Sequence, residues 1–212
     1  MAFDVASLRL CLVTDRGLAA GRSVIDIALA AVRGGATMVQ LREKAATTRA
    51  FVETARTLKA ALAPLGVPLA INDRLDVALA VDADGLHVGQ DDMPVAEARG
   101  LMGPGKFIGL SITAVEQVLR PDAAAADYLG VGPIYAQRTK ADAAAPLGVD
   151  GLRRLRGLTG KPVVAIGGLT PDNSAPALAA GADGLAVVSA IVAAADPEAA
   201  ARRFRGLFGS RQ

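Results

Sequence analysis

The chain has 212 residues, of which 52% are hydrophobic and 21% charged, a balance typical of a globular protein with a large core. The net charge of +2 and the 3% of aromatic residues argue against a nucleic-acid partner, which needs a basic surface and rings on which bases stack. No uncharged run approaches the roughly 18 apolar residues of a membrane span, and no signal peptide is recognised in the first residues, so we expect a cytoplasmic protein with small-molecule partners and no membrane contact.

Apolar runs alternate with helical patterns along the chain, and the breaks between them carry glycine, proline or aspartate. The apolar runs predict strands at 8–14, 38–41, 69–72, 85–88, 107–111, 128–131, 163–166 and 185–188. The helical patterns predict helices at 23–33, 48–65, 75–81, 94–101, 114–120, 149–158, 171–180 and 197–208.

Eight strand-then-helix units with no spare element are the number expected of a (βα)8 barrel, also called a TIM barrel. We therefore predict an α/β protein in which residues 1–212 form a single barrel domain. An open doubly wound sheet is the alternative, but no strand is followed by the Gly-x-Gly-x-x-Gly fingerprint of dinucleotide-binding sheets. In a barrel the catalytic side chains follow the carboxyl ends of the strands, so the residues at those positions are the candidates for a site.

Acidic and amide side chains follow two neighbouring strands. Asn72 and Asp73 come at the end of the third strand, and Gln90, Asp91 and Asp92 follow the fourth. Carboxylates that meet at one edge of a sheet raise each other's pKa, and a divalent cation such as Mg²⁺ removes that conflict. The alternative is that these acids are helix caps or solvated loop residues.

Cations and hydroxyl groups follow other strands. Gln40, Arg42 and Lys44 are spaced by two residues at the end of the second strand, so all three can point to one side of the rim, although a solvated strand end is the alternative. Ser111 ends the fifth strand and could instead cap a helix. Lys140 lies on a long unpatterned loop at 135–147, the kind of loop that often binds a ligand.

The last two strands end in residues that suit a phosphate group. Gly167 and Gly168 follow the seventh strand, and Val188 and Ser189 follow the eighth, where barrels often bind phosphate through backbone N–H groups. Close packing is the alternative role of the glycines. A phosphate here and a metal site flanked by cations imply two anionic substrates, and such a site would stabilise a departing pyrophosphate.

No Ser-His-Asp or Cys-His pair competes with this interpretation. Cys11 lies inside the first strand, and we expect it to be a small core residue. His87 is the only histidine and lies within the fourth strand, where we expect it to be buried with a hydrogen-bonded partner.

Several motifs in one order carry a family resemblance. They are VQLREK at 39–44, INDR at 71–74, GLHVGQDDM at 85–93, DYLGVGPIY at 127–135, TK at 139–140 and AIGG at 165–168. The sequence resembles the thiamine phosphate synthase family over residues 10–204. The resemblance implies a (βα)8 barrel that joins hydroxymethylpyrimidine diphosphate to a thiazole phosphate with Mg²⁺ as cofactor. It also implies that pyrophosphate departs first and that the thiazole nitrogen captures the resulting pyrimidine cation, without a protein nucleophile.

The resemblance also assigns roles to individual positions. It implies that Asp73 and Asp92 bind the metal. The implied pyrimidine diphosphate contacts are Gln40, Arg42, Lys44, Asn72, Ser111 and Lys140, of which Arg42, Lys44, Ser111 and Lys140 are predicted to be catalytic. The implied contacts of the thiazole phosphate, with the loop that leads to them, are Gln137, Thr139, Gly168, Val188 and Ser189.

Two positions depart from the family pattern. Gln137 stands where the family usually has threonine, and Cys11 stands where many members have an aromatic residue. One alternative is a thiazole tautomerase from a related branch, but that branch tends to lose the metal-site acids and to use a histidine after the fifth strand. Another is a non-catalytic binder of thiamine intermediates. The oligomeric state is left open, and a homo-oligomer is compatible with the sequence.

Overall fold

The computed structural model describes residues 3–136 and 145–209. They contain eight parallel strands that close into a barrel, in which each strand pairs with the next and the last pairs with the first. The strands are β1 (Leu10–Val13), β2 (Met38–Leu41), β3 (Leu69–Asn72), β4 (Gly85–Val88), β5 (Phe107–Ile112), β6 (Tyr128–Val131), β7 (Val163–Ile166) and β8 (Gly184–Val187). The predicted (βα)8 barrel is confirmed.

Helices cover the outside of the barrel. The α-helices of the described residues are α1 (Val24–Arg33), α2 (Thr48–Leu62), α3 (Leu75–Ala80), α4 (Val95–Met102), α5 (Pro121–Ala125), α6 (Gly148–Arg156), α7 (Ala175–Ala179), α8 (Ser189–Val192) and α9 (Pro197–Gly206). Short 3₁₀ helices lie at Val5–Leu8, Ala63–Leu65 and Val115–Leu119. In these described stretches, no helix combines the length and the apolar character needed to cross a membrane.

The prediction of an α-helix at 114–120 is wrong. The structure has a 3₁₀ helix at Val115–Leu119 and then a separate helix, α5, which begins at Pro121. Proline disfavours the helical conformation in the residue before it, and Arg120 accordingly has an extended ψ of 153°. Because proline suits the first position of a helix, the chain starts a new helix there instead of continuing the old one.

Side chains of the strands alternate between two apolar layers. On β1, for example, Leu10 and Leu12 pack outward against the helices, whereas Cys11 and Val13 point into the barrel. The interior cluster consists of Leu8, Cys11, Val13, Met38, Ala70, Phe107, Tyr128, Val164 and Ala186. Cys11 is only 1% exposed, which confirms its prediction as a core residue. The filled interior leaves the carboxyl-end rim as the place where polar side chains from all eight strands can meet.

Candidate active site at the carboxyl-end rim

Two carboxylates from neighbouring strands meet at the rim. Asp73 directly follows β3 and has a left-handed φ of 63°, and its backbone N–H donates to the carbonyl oxygen of His87 over 2.8 Å. Asp92 lies in the loop after β4, where its Oδ2 accepts a hydrogen bond from the Gly89 backbone N–H at 2.6 Å. Burial first, then the charge of Asp92 and a hydrogen bond with it, raise the pKa of Asp73 to about 6. The two carboxyl groups therefore interact at the rim, as expected of residues that follow neighbouring parallel strands.

A positive side chain and an amide side chain, which follow β2 and β3, act on this pair. The charge of Lys44 and a hydrogen bond from the Asn72 side chain both act to lower the pKa of Asp73. Residues predicted from β2, β3 and β4 thus converge at one point. Two carboxylates are a donor set typical of Mg²⁺, which usually takes its other ligands from water and phosphate oxygens. A larger group of three or more His, Cys, Asp or Glu side chains that could hold a metal is absent from residues 3–136 and 145–209.

The end of β2 is tied to the loop after β1. The Arg42 Nη1 atom lies 2.7 Å from Oδ2 of Asp15, and the Arg42 backbone N–H donates to Thr14 Oγ1 at 2.9 Å. Only 18% of the Arg42 side chain is exposed, so it is not a solvated base at a strand end. Gln40, two residues earlier, is buried inside the barrel. Asp15 as the partner of Arg42 is a residue that sequence reasoning missed.

Ser111 lies within β5 and is not a helix cap, so that alternative is wrong. Its Oγ atom is 2.9 Å from His87 Nε2, and its carbonyl oxygen accepts a hydrogen bond from Gln90 Nε2 at 2.7 Å. Gln90 is held in turn by Arg120, whose Nη1 donates to Gln90 Oε1 at 3.1 Å. His87 is buried and has hydrogen-bonded partners, which confirms the prediction for this residue. The hydroxyl and the carbonyl of Ser111 are therefore both oriented by neighbouring side chains.

The turn after β7 is built around two glycines in the left-handed region. Gly167 has φ 101° and Gly168 has φ 67°. A Cβ atom on Gly168 would lie 2.7 Å from the Tyr135 Cβ atom, and the Gly168 carbonyl accepts from Asn173 Nδ2 at 2.9 Å. Gly168 is therefore required both for close packing against Tyr135 and for its left-handed backbone conformation.

The turn after β8 contains the other two residues predicted for the phosphate site. Val188 has an irregular conformation, with φ −110° and ψ −88°, and Ser189 begins α8. The strand itself ends at Val187, one residue earlier than predicted. The predicted contacts Gln137, Thr139 and Lys140 lie outside the described residues.

A closed barrel whose rim collects a carboxylate pair, cations and a two-glycine turn defines an enzyme of the (βα)8-barrel class. The chain belongs to the thiamine monophosphate synthase family, because the family model with that description matches residues 10–191. This assignment confirms the family recognised in the sequence and, with it, a transferase enzyme.

Named relatives and a solved structure agree with the assignment. A thiamine-phosphate synthase of Chloroflexus aurantiacus is 55% identical over 98% of this chain and 96% of the relative. One of Solidesulfovibrio magneticus is 57% identical over 92% of this chain and 93% of the relative. The structure of a thiamine phosphate pyrophosphorylase from Pyrococcus furiosus superposes with a TM-score of 0.88 at 36% identity, and the match covers 97% of both chains.

Proposed function

We propose that the protein couples hydroxymethylpyrimidine diphosphate to a thiazole phosphate in the cytoplasm, and that it releases thiamine phosphate and pyrophosphate. The observation that carries the proposal is the contact between Asp73 and Asp92 beside Lys44 and Asn72. A diphosphate substrate with a divalent cation suits this arrangement, because the cation neutralises carboxylates and phosphates together. The family assignment supports the same reaction.

We propose Mg²⁺ as the cofactor and Asp73 and Asp92 as its protein ligands. The fit rests on the donor set, because two interacting carboxylates are hard oxygen ligands, and a divalent cation between them removes the repulsion that raises the pKa of Asp73. When bound, the ion would neutralise charge on the diphosphate as it leaves. The family is consistent with a metal-dependent reaction.

The side chains around this pair have roles that follow from their chemistry. Arg42 and Lys44 supply positive charge where the leaving pyrophosphate accumulates negative charge, and Ser111 supplies a hydroxyl group. Lys140 is proposed to add a third cation, and Gln40 and Asn72 to orient the pyrimidine ring.

The reaction requires no protein nucleophile. The bond between the pyrimidine methylene carbon and the diphosphate oxygen breaks with its electron pair on the oxygen, and the lone pair of the thiazole nitrogen then forms the new C–N bond. Cys11 is buried, and burial raises its pKa to about 12, so it stays a thiol. Burial lowers the pKa of His87 to about 4. Neither side chain is suited to attack the substrate, which supports direct capture by the thiazole.

The direct test is turnover. Purified protein with both substrates and Mg²⁺ is expected to release pyrophosphate and form thiamine phosphate in equal amounts. Binding of both substrates without turnover would identify a non-catalytic binder instead. Isomerisation of the thiazole without pyrophosphate release would identify a tautomerase.

A Gly168→Ala variant is expected to bind the thiazole phosphate about tenfold more weakly, because a Cβ atom is strained at φ 67° and would lie 3.0 Å from the Ala136 carbonyl oxygen. Binding of the pyrimidine diphosphate should stay within about twofold, since it is assigned to the other side of the rim. Calorimetric titration with each substrate separately measures both. Gly160→Ala is the matched control, because a Cβ atom there meets nothing within 4 Å.

An Asp73→Asn variant is expected to melt about 2–4 °C higher than the wild type at pH 8 without metal. This shift corresponds to a stabilisation of about 1 kcal/mol, a value kept small because solvent screens the repulsion at this half-buried site. The folded-state pKa of Asp73 is raised from 3.8 to about 6. The contribution of the neutral carboxyl group to the stability of the fold is therefore fully present below about pH 4 and is lost as the pH rises through 6. The difference between variant and wild type should therefore vanish near pH 4.

Thermal melts with and without Mg²⁺ complete this test. Mg²⁺ should raise the melting temperature of the wild type and have less effect on Asp73→Asn. Asp91→Asn is the matched control, because Asp91 is exposed and adjacent to Asp92. A lower melting temperature for Asp73→Asn at pH 8 would contradict the repulsion between the two carboxylates.

A further inference from the structure

A buried pair of rings lies inside the barrel beneath the candidate site. His87 on β4 is 8% exposed, and Tyr128 on β6 is 1% exposed. The His87 Nδ1 atom lies 2.9 Å from the Tyr128 hydroxyl oxygen, while its Nε2 atom lies 2.9 Å from Ser111 Oγ. Both ring nitrogens therefore have partners, and one of those partners is a proposed diphosphate contact.

The barrel is shaped to hold this pair. His87, Gly109 and Tyr128 lie in register across three adjacent strands. A Cβ atom on Gly109 would lie 2.2 Å from Tyr128 Cζ and 2.5 Å from His87 Nδ1, and one on Gly130 would lie 2.9 Å from His87 Cε1. Two glycines on β5 and β6 thus make the space that the rings occupy, which a chance core contact would not require.

The direction of the hydrogen bonds follows from the partners. The His87 ring is buried, and both of its nitrogens lie beside hydroxyl groups, so the ring is neutral and carries one N–H. Burial raises the pKa of Tyr128 well above its ordinary value, so the phenol keeps its proton. A phenol is a more acidic hydroxyl than that of serine, so of the two partners of the ring it is Tyr128 that donates, to His87 Nδ1.

The direction of the hydrogen bond between Tyr128 and His87 determines where the His87 and Ser111 hydrogens lie. With Nδ1 accepting from Tyr128, the ring proton lies on Nε2 and is donated to Ser111 Oγ. The hydroxyl hydrogen of Ser111 is then not used inside the barrel and can point to the rim. The opposite tautomer would consume that hydrogen and would present only oxygen lone pairs to an anionic substrate.

We propose that His87 and Tyr128 are positioning residues that hold the Ser111 hydroxyl as a hydrogen-bond donor toward the leaving diphosphate. The inference rests on the proposed function for the identity of the anion. Gln90 completes the arrangement, because its bond to the Ser111 carbonyl fixes the backbone from which the hydroxyl projects. A purely structural role for the rings would stabilise the barrel without setting the direction of the Ser111 hydrogen.

The tautomer is tested directly by ¹⁵N NMR of the imidazole ring in the wild-type protein. The signal is unambiguous, because the chain contains one histidine. A protonated Nε2 and an unprotonated Nδ1 are expected throughout pH 6–8. Protonation on Nδ1 would overturn the proposal, and so would a titrating, doubly protonated ring.

Two isosteric variants test the consequence for binding. In His87→Gln the side-chain amide nitrogen can take the place of Nε2 and donate to Ser111, whereas in His87→Asn the shorter amide reaches only the Tyr128 side. Binding of pyrophosphate with Mg²⁺, measured by calorimetry, is expected to weaken about tenfold in His87→Asn and by less than about threefold in His87→Gln. Equal losses in the two variants would overturn the proposal.

A double-variant cycle with Ser111→Ala separates positioning from general destabilisation. If His87 acts through the Ser111 hydroxyl, His87→Asn should weaken pyrophosphate binding by less than about twofold in the Ser111→Ala background. An undiminished tenfold loss in that background would mean that the ring acts in some other way. Neither the NMR nor the binding experiment requires turnover, so a protein that passes both and forms no thiamine phosphate would refute the proposed function and leave this inference standing.

Discussion

An Asp92→Asn variant is expected to lose about a thousandfold or more in kcat/KM for thiamine phosphate formation. Asparagine keeps an amide oxygen that can accept the Gly89 N–H bond, so the loop after β4 should retain its shape. What it removes is one of the two negative charges in contact at the rim and, with it, the strongest attraction for a divalent cation. The loss should therefore come from metal binding and from the leaving group, and not from misfolding.

The measurement is steady-state turnover over a range of Mg²⁺ concentrations, together with separate titrations of each substrate. Binding of the thiazole phosphate should stay within about twofold of the wild type, because its proposed site lies after β7 and β8. Asp91→Asn is the control on the exposed neighbouring position. Equal loss of both substrates would show that the two subsites have been assigned wrongly, and unchanged turnover would remove Asp92 from the site.

The barrel was predictable from the sequence because its signals are local. An apolar run of four residues and a helical repeat bounded by glycine or proline are each set by their own residues, and eight such units leave few topologies. The error at 114–120 has a local cause too. The apolar pattern at 114–120 predicts an α-helix, whereas the structure has a 3₁₀ helix there and places the α-helix, α5, after it, where Pro121 occupies the first helical position.

The sequence predicted which residues of the site follow the strand ends, but not which side chains they contact. Asp73 and Asp92 could be expected together, because adjacent parallel strands deliver their final residues to one rim. The partners of the side chains were not predictable in the same way. Nothing in the sequence around Tyr128 indicates that its hydroxyl meets a histidine 41 positions earlier, because that contact depends on the register of three strands. Gly109 was the available signal, as a residue without a side chain in the middle of a buried strand.

The pairing of Asp15 with Arg42 leads to the second large effect. An Arg42→Gln variant is expected to lose about a hundredfold or more in kcat/KM, for two separate reasons. It removes a cation that faces the proposed diphosphate, and it leaves the Asp15 carboxylate, 27% exposed, as an unpaired negative charge at a site for anions. The second cause is repulsion between the Asp15 carboxylate and the diphosphate, so removal of the Asp15 charge should restore part of the activity.

Steady-state kinetics on Arg42→Gln, Asp15→Asn and the double variant distinguish these contributions. The double variant should recover about tenfold of the loss, since it lacks the repelling carboxylate, and Asp15→Asn alone should change kcat/KM by less than about threefold. The matched control is the Arg16→Gln/Glu43→Gln double variant, which removes the ion pair that joins the same two loops without leaving the Glu43 carboxylate, only 1% exposed, unpaired. An Arg42→Gln/Asp15→Asn variant no better than Arg42→Gln would mean that Asp15 does not face the diphosphate. A loss in Arg16→Gln/Glu43→Gln equal to that in Arg42→Gln would mean that the loops, and not the Arg42 charge, determine the rate.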